Sequence, residues 1–310
     1  MIDIDLVYLW VNGNDPKWIA KRKACIGDLS GAEENCTGRY IDNDDLRYSL
    51  RSVAQNAPWI RKIFVVTDNQ LPAWIDTDNP KIQIVDHKEI MPEACLPCFN
   101  SVVIEHHLHK IPGLAEHFLY ANDDMYINKP VGPEFFFGKD GMPIIRMNRR
   151  FLRKWSILFK TNLLGKPMLN YKQTIHTAAL LVEKKYGKYY SSKTHHNIDA
   201  YRKSDYQHAR EVFDKEISAT CRNHVRSDND IQRNIYSYVA LAEKRGHLQY
   251  VSQHTSFRFH NDNRQHYAKF LKYQPTLFCM NDSQFANDED RKLAIEFVKK
   301  LFPTPSEFEK

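Results

Sequence analysis

The chain has 310 residues, of which 42% are hydrophobic and 12% aromatic, and this size suits one large α/β domain or one domain with an insertion. The apolar content excludes global disorder, while 44 basic against 38 acidic residues give a net charge of +6 that is too mild to define a partner class. No stretch reaches the roughly 18 apolar residues that span a bilayer. Residues 1–5 contain two aspartates and no basic residue, which does not fit a secretory signal.

The first half of the chain alternates between segments typical of strands and segments typical of helices. β-branched and aromatic runs predict strands over residues 5–11, 62–67, 82–86 and 117–121. Helices are predicted over residues 17–26, 43–56 and 100–110, and a loop over residues 27–41. This alternation predicts an α/β fold, Rossmann-like or GT-A-like, with a mostly parallel sheet and helices on both of its faces.

Two adjacent carboxylates follow the last of these strands. Asn122, Asp123 and Asp124 come directly after the apolar residues 117–121, so we expect them at the carboxyl edge of the sheet, where open α/β folds bind ligands. Oxygen-rich clusters suit Mg²⁺ or Mn²⁺ that bridges phosphates. A simple turn is the alternative, because Asn and Asp are common in turns.

A polar turn and a pair of arginines are further candidates for binding phosphate or nucleotide. The turn after the first strand contains Trp10, Asn12, Gly13 and Asp15. Arg47 and Arg51 are four residues apart on one helix face, and two guanidiniums together suit a phosphate clamp. The same spacing also fits ion pairs with Asp44, Asp45 or another helix.

The chain changes character after about residue 146. Between residues 141 and 182 no residue is acidic. The basic residues of this stretch are Arg146, Arg149, Arg150, Arg153, Lys154, Lys160, Lys166 and Lys172. Trp155 and Phe159 are interleaved with them, and such a basic, aromatic helix suits an anionic polymer or an anionic membrane face. An ordinary amphipathic helix is the alternative. Further helices are predicted over residues 206–220, 228–245 and 288–302.

Polar clusters in the second half offer groups for acid–base chemistry. His195 or His196 suits a general base, and Arg226 suits stabilisation of charge on phosphate oxygens. Asp228 and Asp230 belong either to the same site or to the cap of the helix that follows.

Cysteines and clustered histidines do not predict a metal site. The CxxC at Cys95 and Cys98 has no second CxxC to complete a zinc site, so the six cysteines are predicted to be free thiols in a reducing cytosol. His106, His107 and His109 share one short helix without partner ligands at suitable spacing.

Four blocks of the sequence carry longer motifs in a fixed order, over residues 4–16, 39–124, 196–230 and 278–307. The motifs are IDLVYLWVNGNDP, DLRYSLRS, VTDNQ, FNS, NDD, RSDND and FCMND. In these motifs the chain resembles the Stealth family of sugar-1-phosphate transferases, which includes bacterial capsule-polymer enzymes and the eukaryotic N-acetylglucosamine-1-phosphotransferase. Two positions depart from the family pattern. Asn12 stands where many relatives have Asp, and the usual proline two residues after His196 is replaced by Ile198.

The resemblance implies a reaction on a nucleotide-diphosphate sugar, most often UDP-linked, with Mg²⁺ or Mn²⁺ as cofactor. An acceptor hydroxyl would attack the phosphorus nearest the donor sugar, which gives a phosphodiester and a nucleoside monophosphate. The resemblance implies that the metal is held by Asp123, Asp124 and Asp282. It implies catalytic roles for His196, Arg226 and Asp124. The substrate-binding residues that it implies are Trp10, Asn12, Gly13, Asp15, Arg47, Arg51, Asn100, Ser101 and Asp228.

The expected organisation and partners follow from the same resemblance. Residues 1–145 would form the nucleotide-sugar-binding core, residues 146–220 a basic, largely helical insertion on the acceptor side, and residues 221–310 the rest of the catalytic core. The partners would be a nucleotide sugar and an anionic glycan in capsule or exopolysaccharide synthesis, in the cytoplasm or peripherally at the inner membrane face, without nucleic acid. Two alternatives remain open: a metal-dependent glycosyltransferase that attacks the anomeric carbon, and a non-catalytic binder of anionic polymer.

Overall fold

A computed structural model describes residues 2–27, 40–150, 153–159, 170–283 and 285–310, and it confirms the α/β class. Within these residues the strands are β1 (Ile4–Leu9), β2 (Ile63–Thr67), β3 (Ile82–Asp86), β4 (His117–Asn122), β5 (Met125–Ile127), β6 (Ile144–Asn148), β7 (Lys193–Thr194), β8 (Asp199–Arg202), β9 (His247–Tyr250), β10 (Ser256–His260) and β11 (Leu277–Asn281). The α-helices are α1 (Pro16–Ile26), α2 (Asp45–Asn56), α3 (His87–Ile90), α4 (Ser101–Glu105), α5 (Arg153–Leu158), α6 (Asn170–Tyr186), α7 (Lys203–Val212), α8 (Asp214–Thr220), α9 (Asn234–Ala242), α10 (Arg264–Tyr273) and α11 (Asp288–Leu301).

The central sheet has the strand order β3-β2-β1-β4-β8. The first four strands run parallel, as predicted, and β8 pairs antiparallel with β4. Leu9 lies beside Val66 on one side and Asn122 on the other, so β1, β2 and β4 leave the sheet at the same edge. The chain order reverses between β1 and β4, and open α/β sheets bind ligands in the crevice at such a reversal.

Helices cover both faces of this sheet, as the pattern of the sequence predicts. Successive strand residues point to opposite faces. Leu6 and Tyr8 of β1 therefore pack in one apolar core with α2, while Val7 packs in a second core with α4, α6 and α9. All five residues of β2 are buried, which is typical of a strand covered on both faces.

A small sheet brings the end of the chain to the edge of the central sheet. β11 pairs parallel with β10 and antiparallel with β5. The backbone N–H of Met280 donates to the carbonyl of Asp124 at 2.9 Å, so the chain leaves β11 beside the turn between β4 and β5. This pairing places Asn281 and Asp282 next to the Asp123–Asp124 pair.

The basic stretch after residue 146 is not one continuous helix, which corrects that prediction. Arg146 lies in strand β6, where it is buried with its guanidinium 3.7 Å from the centre of the Phe135 ring. Lys154 on α5 forms an ion pair with Glu183 at 2.7 Å. Trp155 is 69% exposed. Residues 151–152 and 160–169, which include Lys160 and Lys166, lie outside the described part.

Residues 146–220 are largely helical in their described part, with α5 to α8, and they also supply β8 to the central sheet. Other element boundaries differ from the prediction. The predicted helix 206–220 is divided into α7 and α8, and the helix predicted from residue 228 begins at Asn234. Most of the predicted loop 27–41 lies outside the described residues.

Two expectations about composition hold for the described residues. Cys25, Cys95, Cys98, Cys221 and Cys279 are free, while Cys36 lies outside the described part. In the same part of the chain, no helix combines the length and the apolarity that a membrane crossing requires.

Arg47 and Arg51 do not form a phosphate clamp, because both bind the carboxylate of Glu309. Arg47 Nε donates to Glu309 Oε2 at 2.6 Å, and Arg51 Nε and Nη2 donate to its two oxygens at 2.7 and 2.8 Å. The Glu309 side chain is 2% exposed. Burial alone would raise the pKa of Glu309, but hydrogen bonds from Arg51, the Ser306 N–H and Arg47 lower it to about 2. The prediction of a clamp overlooked a partner 258 residues away from Arg51.

We expect Glu309→Gln to lower the free energy of unfolding at pH 7 by about 3 kcal/mol, since it leaves a buried guanidinium unpaired. The folded-state pKa of Glu309 lies below its ordinary value of 4.5, so the ion pair stabilises the fold above that pH. This stabilisation is lost as the pH falls toward about 2, and the difference between variant and parent should shrink over that range. Urea unfolding at several pH values measures it.

A matched control is Glu307→Gln, since the Glu307 side chain is 51% exposed and pairs with Lys81 at 3.1 Å. Exposed ion pairs contribute about 1 kcal/mol or less, so this variant should unfold close to the parent. Equal decreases in the free energy of unfolding would show that the buried ion pair with Arg51 stabilises the fold no more than the exposed pair does.

Candidate active site

A cleft of about 200 Å³ opens at the carboxyl edge of the central sheet, where the strand order reverses. Among the described residues, its titratable lining side chains are Asp45, Glu105, Asp123, Asp124, Asp230, Asp282, Arg226, Arg233, His196 and Tyr171. These side chains come from parts of the chain between residues 45 and 282. The structure therefore brings together the metal-binding and catalytic residues predicted from the sequence, namely Asp123, Asp124, Asp282, His196 and Arg226.

Asp123 and Asp124 lie in the tight turn between β4 and β5. Asp124 Oδ2 accepts hydrogen bonds from Asn281 Nδ2 at 2.9 Å and from the Cys279 thiol at 3.3 Å. Asp124 Oδ1 is buried without a hydrogen-bond partner among the described atoms. A buried carboxylate oxygen in this state calls for a ligand outside the protein chain, because such a group is costly to leave unpaired.

The carboxyl groups of the cleft raise one another's pKa values. Burial, followed by repulsion from Asp124 and Asp45, raises the pKa of Asp123 well above its ordinary value. Burial also raises the pKa of Asp124 to about 6 and that of Asp45 to about 8. Tyr126 donates to Asp45 Oδ1 at 2.7 Å, which partly offsets the cost of burial. The cluster therefore favours the approach of positive charge.

The residues present fit a divalent cation that is completed by oxygens from a substrate. Within the described residues, no three His, Cys, Asp or Glu side chains form a group that could hold a metal by themselves. Mg²⁺ does not need such a group, since it is usually bound through one or two carboxylates plus water and substrate phosphates. The Asp123–Asp124 pair and the unpartnered Asp124 Oδ1 meet that requirement. Asp282 lines the cleft too, although its carboxylate is already paired with Arg291 at 2.8 Å.

Of the two neighbouring histidines, the structure places His196 in the cleft and His195 outside it. His195 is 3% exposed, with Nδ1 2.8 Å from the Ser256 hydroxyl and Nε2 3.2 Å from Asp199 Oδ1. His196 lines the cleft, with Nε2 3.4 Å from Asn281 Nδ2.

The backbone and the surroundings of His196 are both unusual. Its φ of 57° lies in the left-handed region, which non-glycine residues rarely adopt and which is often retained at functional sites. Burial, with smaller contributions from Arg258, Arg233, Lys193 and His195, lowers its pKa well below 6.5. The imidazole is therefore neutral at pH 7, which is the form that a general base requires. Its role as the base stays a prediction.

Arg226 lines the cleft and is held by Ser101. Its Nη2 donates to the Ser101 hydroxyl at 2.8 Å. Ser101, a predicted substrate-binding residue, lines the cleft beside it. Asn100 does not line the cleft: it is fully buried, and its carboxamide is bound to the loop that carries Arg226.

The predicted nucleotide-binding turn has a structural role in the described contacts. Asp15 caps α1 by accepting from the Lys17 N–H, and the Gln70 amide donates to Asp15 and to the Asn12 carbonyl. A side chain at Gly13 would place its Cβ 2.1 Å from the Tyr40 carbonyl oxygen, so the turn requires glycine there. Val11 lines the cleft, whereas Trp10, Asn12, Gly13 and Asp15 do not. Their role in substrate binding stays a prediction.

Asp228 is also outside the cleft lining. It is exposed, and its carboxylate lies 3.4 Å from the Ser227 hydroxyl. Neither Asp228 nor Asp230 caps a helix, because α9 begins only at Asn234. Asp230 is 1% exposed and accepts from Asn100 and Asn223 at the wall of the cleft.

The wall of the cleft carries an ion network that the sequence did not predict. Arg233 Nη1 pairs with Asp199 at 2.8 Å, and its Nε lies 3.4 Å from Glu105. The Tyr120 hydroxyl lies 2.9 Å from Glu105 Oε1 and 2.7 Å from Asn122 Oδ1, so its one hydrogen is shared between these two acceptors. The network thereby orients the first residue of the Asn122–Asp124 triplet. No local pattern marks it, because its members come from four separate elements.

Family models for two conserved regions of Stealth proteins match the chain: region 1 over residues 3–30 and region 2 over residues 39–145. A capsular polysaccharide phosphotransferase of Haemophilus influenzae is 34% identical over 301 residues, which cover 93% of this chain and 80% of the relative. The chain belongs to the Stealth family. Region 2 contains the Asp123–Asp124 pair, Asn100 and Ser101.

Two further relatives are matched over little more than half of their own length. An exopolysaccharide phosphotransferase of Streptomyces coelicolor is 36% identical over 324 residues, which cover 99% of this chain and 52% of the relative. A capsular polysaccharide phosphotransferase of Neisseria meningitidis serogroup A is 34% identical over 319 residues, which cover 99% of this chain and 57% of the relative. The chain thus spans about half the length of these two relatives.

Among solved structures, the chain is similar to a galactosyltransferase, LgtC, in complex with donor and acceptor sugar analogs. The identity is 10% and the TM-score 0.43, with 97% of this chain and 96% of the other covered. A glycosyltransferase of Streptococcus pneumoniae gives 11% identity and the same TM-score, with 96% of this chain and 60% of the other covered. No property of the Stealth site follows from a likeness at this score.

Proposed function

We propose that this Stealth protein transfers a sugar-1-phosphate from a nucleotide-diphosphate sugar, with UDP as the nucleotide, to a hydroxyl of an acceptor glycan. The observation that supports this best is the cleft at the strand-order reversal, which is lined by Asp123, Asp124, Arg226 and His196. Phosphoryl transfer needs mainly positioning and charge neutralisation from a protein, and the cleft offers both signs of charge. The names of its relatives support capsule or exopolysaccharide synthesis as the setting.

The reaction forms one bond and breaks one. The acceptor oxygen bonds to the phosphorus nearest the donor sugar, the bridge between the two phosphates breaks, and the nucleoside monophosphate leaves. His196 takes the proton of the attacking hydroxyl, and Arg226 neutralises charge on the transferring phosphoryl oxygens. Asp123 and Asp124 would hold Mg²⁺ or Mn²⁺, which would offset the charge on the phosphates of the donor. Asp282 would join them only on leaving its ion pair with Arg291.

The released nucleotide tests this proposal. Incubation with a panel of nucleotide sugars and acceptor oligosaccharides should release a nucleoside monophosphate, with phosphorus retained in the glycan product. A nucleoside diphosphate would instead indicate attack at the anomeric carbon by a glycosyltransferase. No turnover with any donor, together with binding of an anionic polymer, would indicate a binding protein.

We also propose that the surface around Arg149 and Trp155 binds an anionic acceptor glycan or an anionic membrane face. Arg149 lies 5.2 Å from the centre of the Tyr250 ring, and Tyr250 is 47% exposed. Lys193 lies 5.3 Å from the ring of Tyr171, which lines the cleft. A polymer with phosphodiester links carries negative charge at each link, so basic and aromatic groups near the cleft suit its recognition. The peripheral location at the inner membrane face stays part of this proposal.

Replacing Arg149, Arg150, Arg153 and Lys154 by Ala should raise the KM for long acceptors far more than the KM for short ones. The donor KM should change little, because the donor binds at the carboxyl edge of the sheet. Added salt should reproduce the effect in the parent, since exposed charges are screened over about 8 Å at physiological ionic strength. Vesicles of anionic lipid test the membrane role by co-sedimentation. An unchanged dependence on acceptor length, salt and vesicles would leave this stretch as a solvated surface.

A further inference from the structure

Two loops that are far apart in the sequence are bound to each other along one side of the cleft. The first spans residues 97–101 and the second residues 221–230, and together they are termed the two-loop clasp. The Phe99 N–H donates to the His224 carbonyl at 2.8 Å. In return, His224 Nδ1 donates to the Pro97 carbonyl at 2.7 Å. These reciprocal bonds fix the spacing of the two loops at the base of the clasp.

Asn100 lies at the centre of the clasp and is fully buried. Its carboxamide nitrogen shares two hydrogens among three acceptors, the carbonyls of Asn223 and Val225 at 3.3 and 3.2 Å and Asp230 Oδ2 at 3.0 Å. Its carboxamide oxygen accepts from the Val102 N–H at 3.1 Å, which caps α4. One side chain therefore holds the second loop and orients the start of the helix in the first.

The clasp determines where Arg226 points. Arg226 follows Val225, whose carbonyl is bound by Asn100, and its guanidinium donates to the hydroxyl of Ser101, the next residue after Asn100. The Ser227 N–H on the other side of Arg226 donates to Asp230 at 3.0 Å. The backbone before and after Arg226 and the end of its side chain are thus all fixed within the clasp.

We infer that Asn100 is a positioning residue for Arg226 rather than a residue that touches the nucleotide sugar. Its burial and its absence from the cleft lining exclude direct contact in this arrangement. Its hydrogen bonds instead hold the loop from which the guanidinium reaches the phosphoryl position. The inference rests on the proposed function only for the kinetic part of its test.

Asn100→Asp is the sharpest probe, because it keeps the capping oxygen and the size of the side chain. It removes the amide hydrogens and places a negative charge beside Asp230. Since a displacement of about 1 Å can cost 10²-fold in rate, kcat should fall by about that factor while the donor KM stays within about threefold. Amide hydrogen exchange over residues 221–230 should accelerate, while the central sheet stays protected.

A double-mutant cycle separates positioning from a general loss of structure. In an Arg226→Ala background, Asn100→Asp should lower kcat by less than about threefold, since both changes act through the same guanidinium. A further loss as large as in the parent would overturn the inference. Asn263→Asp is the matched control: Asn263 caps α10 in the same way and does not line the cleft, so kcat and exchange at residues 221–230 should not change.

His224→Leu serves if Asn100→Asp does not fold, because His224 is only partly buried and contributes one side-chain bond to the clasp. We expect kcat to fall by about tenfold, the effect of losing one hydrogen bond of about 1.4 kcal/mol. If the protein releases no nucleotide from any donor, the proposed function fails, and hydrogen exchange still tests the clasp. Unchanged exchange over residues 221–230 in both variants would then overturn the inference.

Discussion

Asp124→Asn is expected to lower turnover by about 10²-fold or more and to abolish its response to added Mg²⁺ or Mn²⁺. A metal-held charge contributes several kcal/mol to the transition state of phosphoryl transfer, and each 1.36 kcal/mol corresponds to about a tenfold rate change. The Asn side chain retains one oxygen but not the negative charge that the cation requires. Turnover as a function of metal concentration, with excess chelator as the baseline, measures the effect.

The same substitution should not weaken the fold of the metal-free protein. Burial raises the pKa of Asp124 to about 6, which means that the fold opposes its charge, and the neighbouring Asp123 adds repulsion. Loss of activity without loss of thermal stability is therefore the expected pair of results. Full turnover of the parent in excess chelator would contradict the metal role, whereas an unfolded variant would assign Asp124 a structural role instead.

His196→Asn and Arg226→Ala are each expected to reduce kcat by about 10²-fold or more, the scale of general-base and charge-stabilising groups. Asn is the informative substitution at position 196, because it tolerates the left-handed backbone that His196 adopts at φ 57°. A loss of activity then reflects the imidazole rather than backbone strain. In the parent, kcat should remain high at neutral pH, since burial keeps the pKa of His196 below 6.5.

His195→Ala is the matched comparison for His196→Asn. His195 contacts Ser256 and Asp199 outside the cleft, so its loss should lower thermal stability more than kcat. Removing a buried hydrogen-bonding side chain costs about 1–3 kcal/mol, measurable as a lower unfolding midpoint. If His195→Ala were crippling and His196→Asn harmless, the catalytic histidine would be the other one.

Local patterns predicted the first half of the fold well. The strand at residues 82–86 has the predicted bounds, and α1, α2 and β2 differ from theirs by one or two residues. Each of these elements is indicated by a β-branched run, by helical spacing of apolar residues or by a turn that follows it. The basic pattern around Arg146 predicts one continuous helix, whereas the structure places Arg146 in strand β6. Its strand forms only because β7 and β9 pair on either side of it.

Contacts between distant residues were not predictable from one sequence. The spacing of Arg51 suited either a phosphate clamp or an ion pair, and its ion-pair partner is Glu309, 258 residues away. Asn100 was assigned to substrate, yet its carboxamide binds a loop more than 120 residues away. Such partners depend on the relative positions of complete elements, and spacing along one helix or loop carries no information about them.

The sequence by itself determined the α/β class, the mostly parallel sheet, the acidic pair at a strand end and membership of the Stealth family. Strand alternation and strand-end polarity are local properties, because side-chain direction repeats every two residues in a strand. Only the tertiary structure decided that His196 rather than His195 faces the cleft, and that Arg226 shares it with Asp124. Those decisions depend on contacts between distant segments: the antiparallel pairing of β8 with β4 brings the residues that precede β8 to the sheet edge, and the hydrogen bond from Asn100 to the Val225 carbonyl holds the loop that carries Arg226.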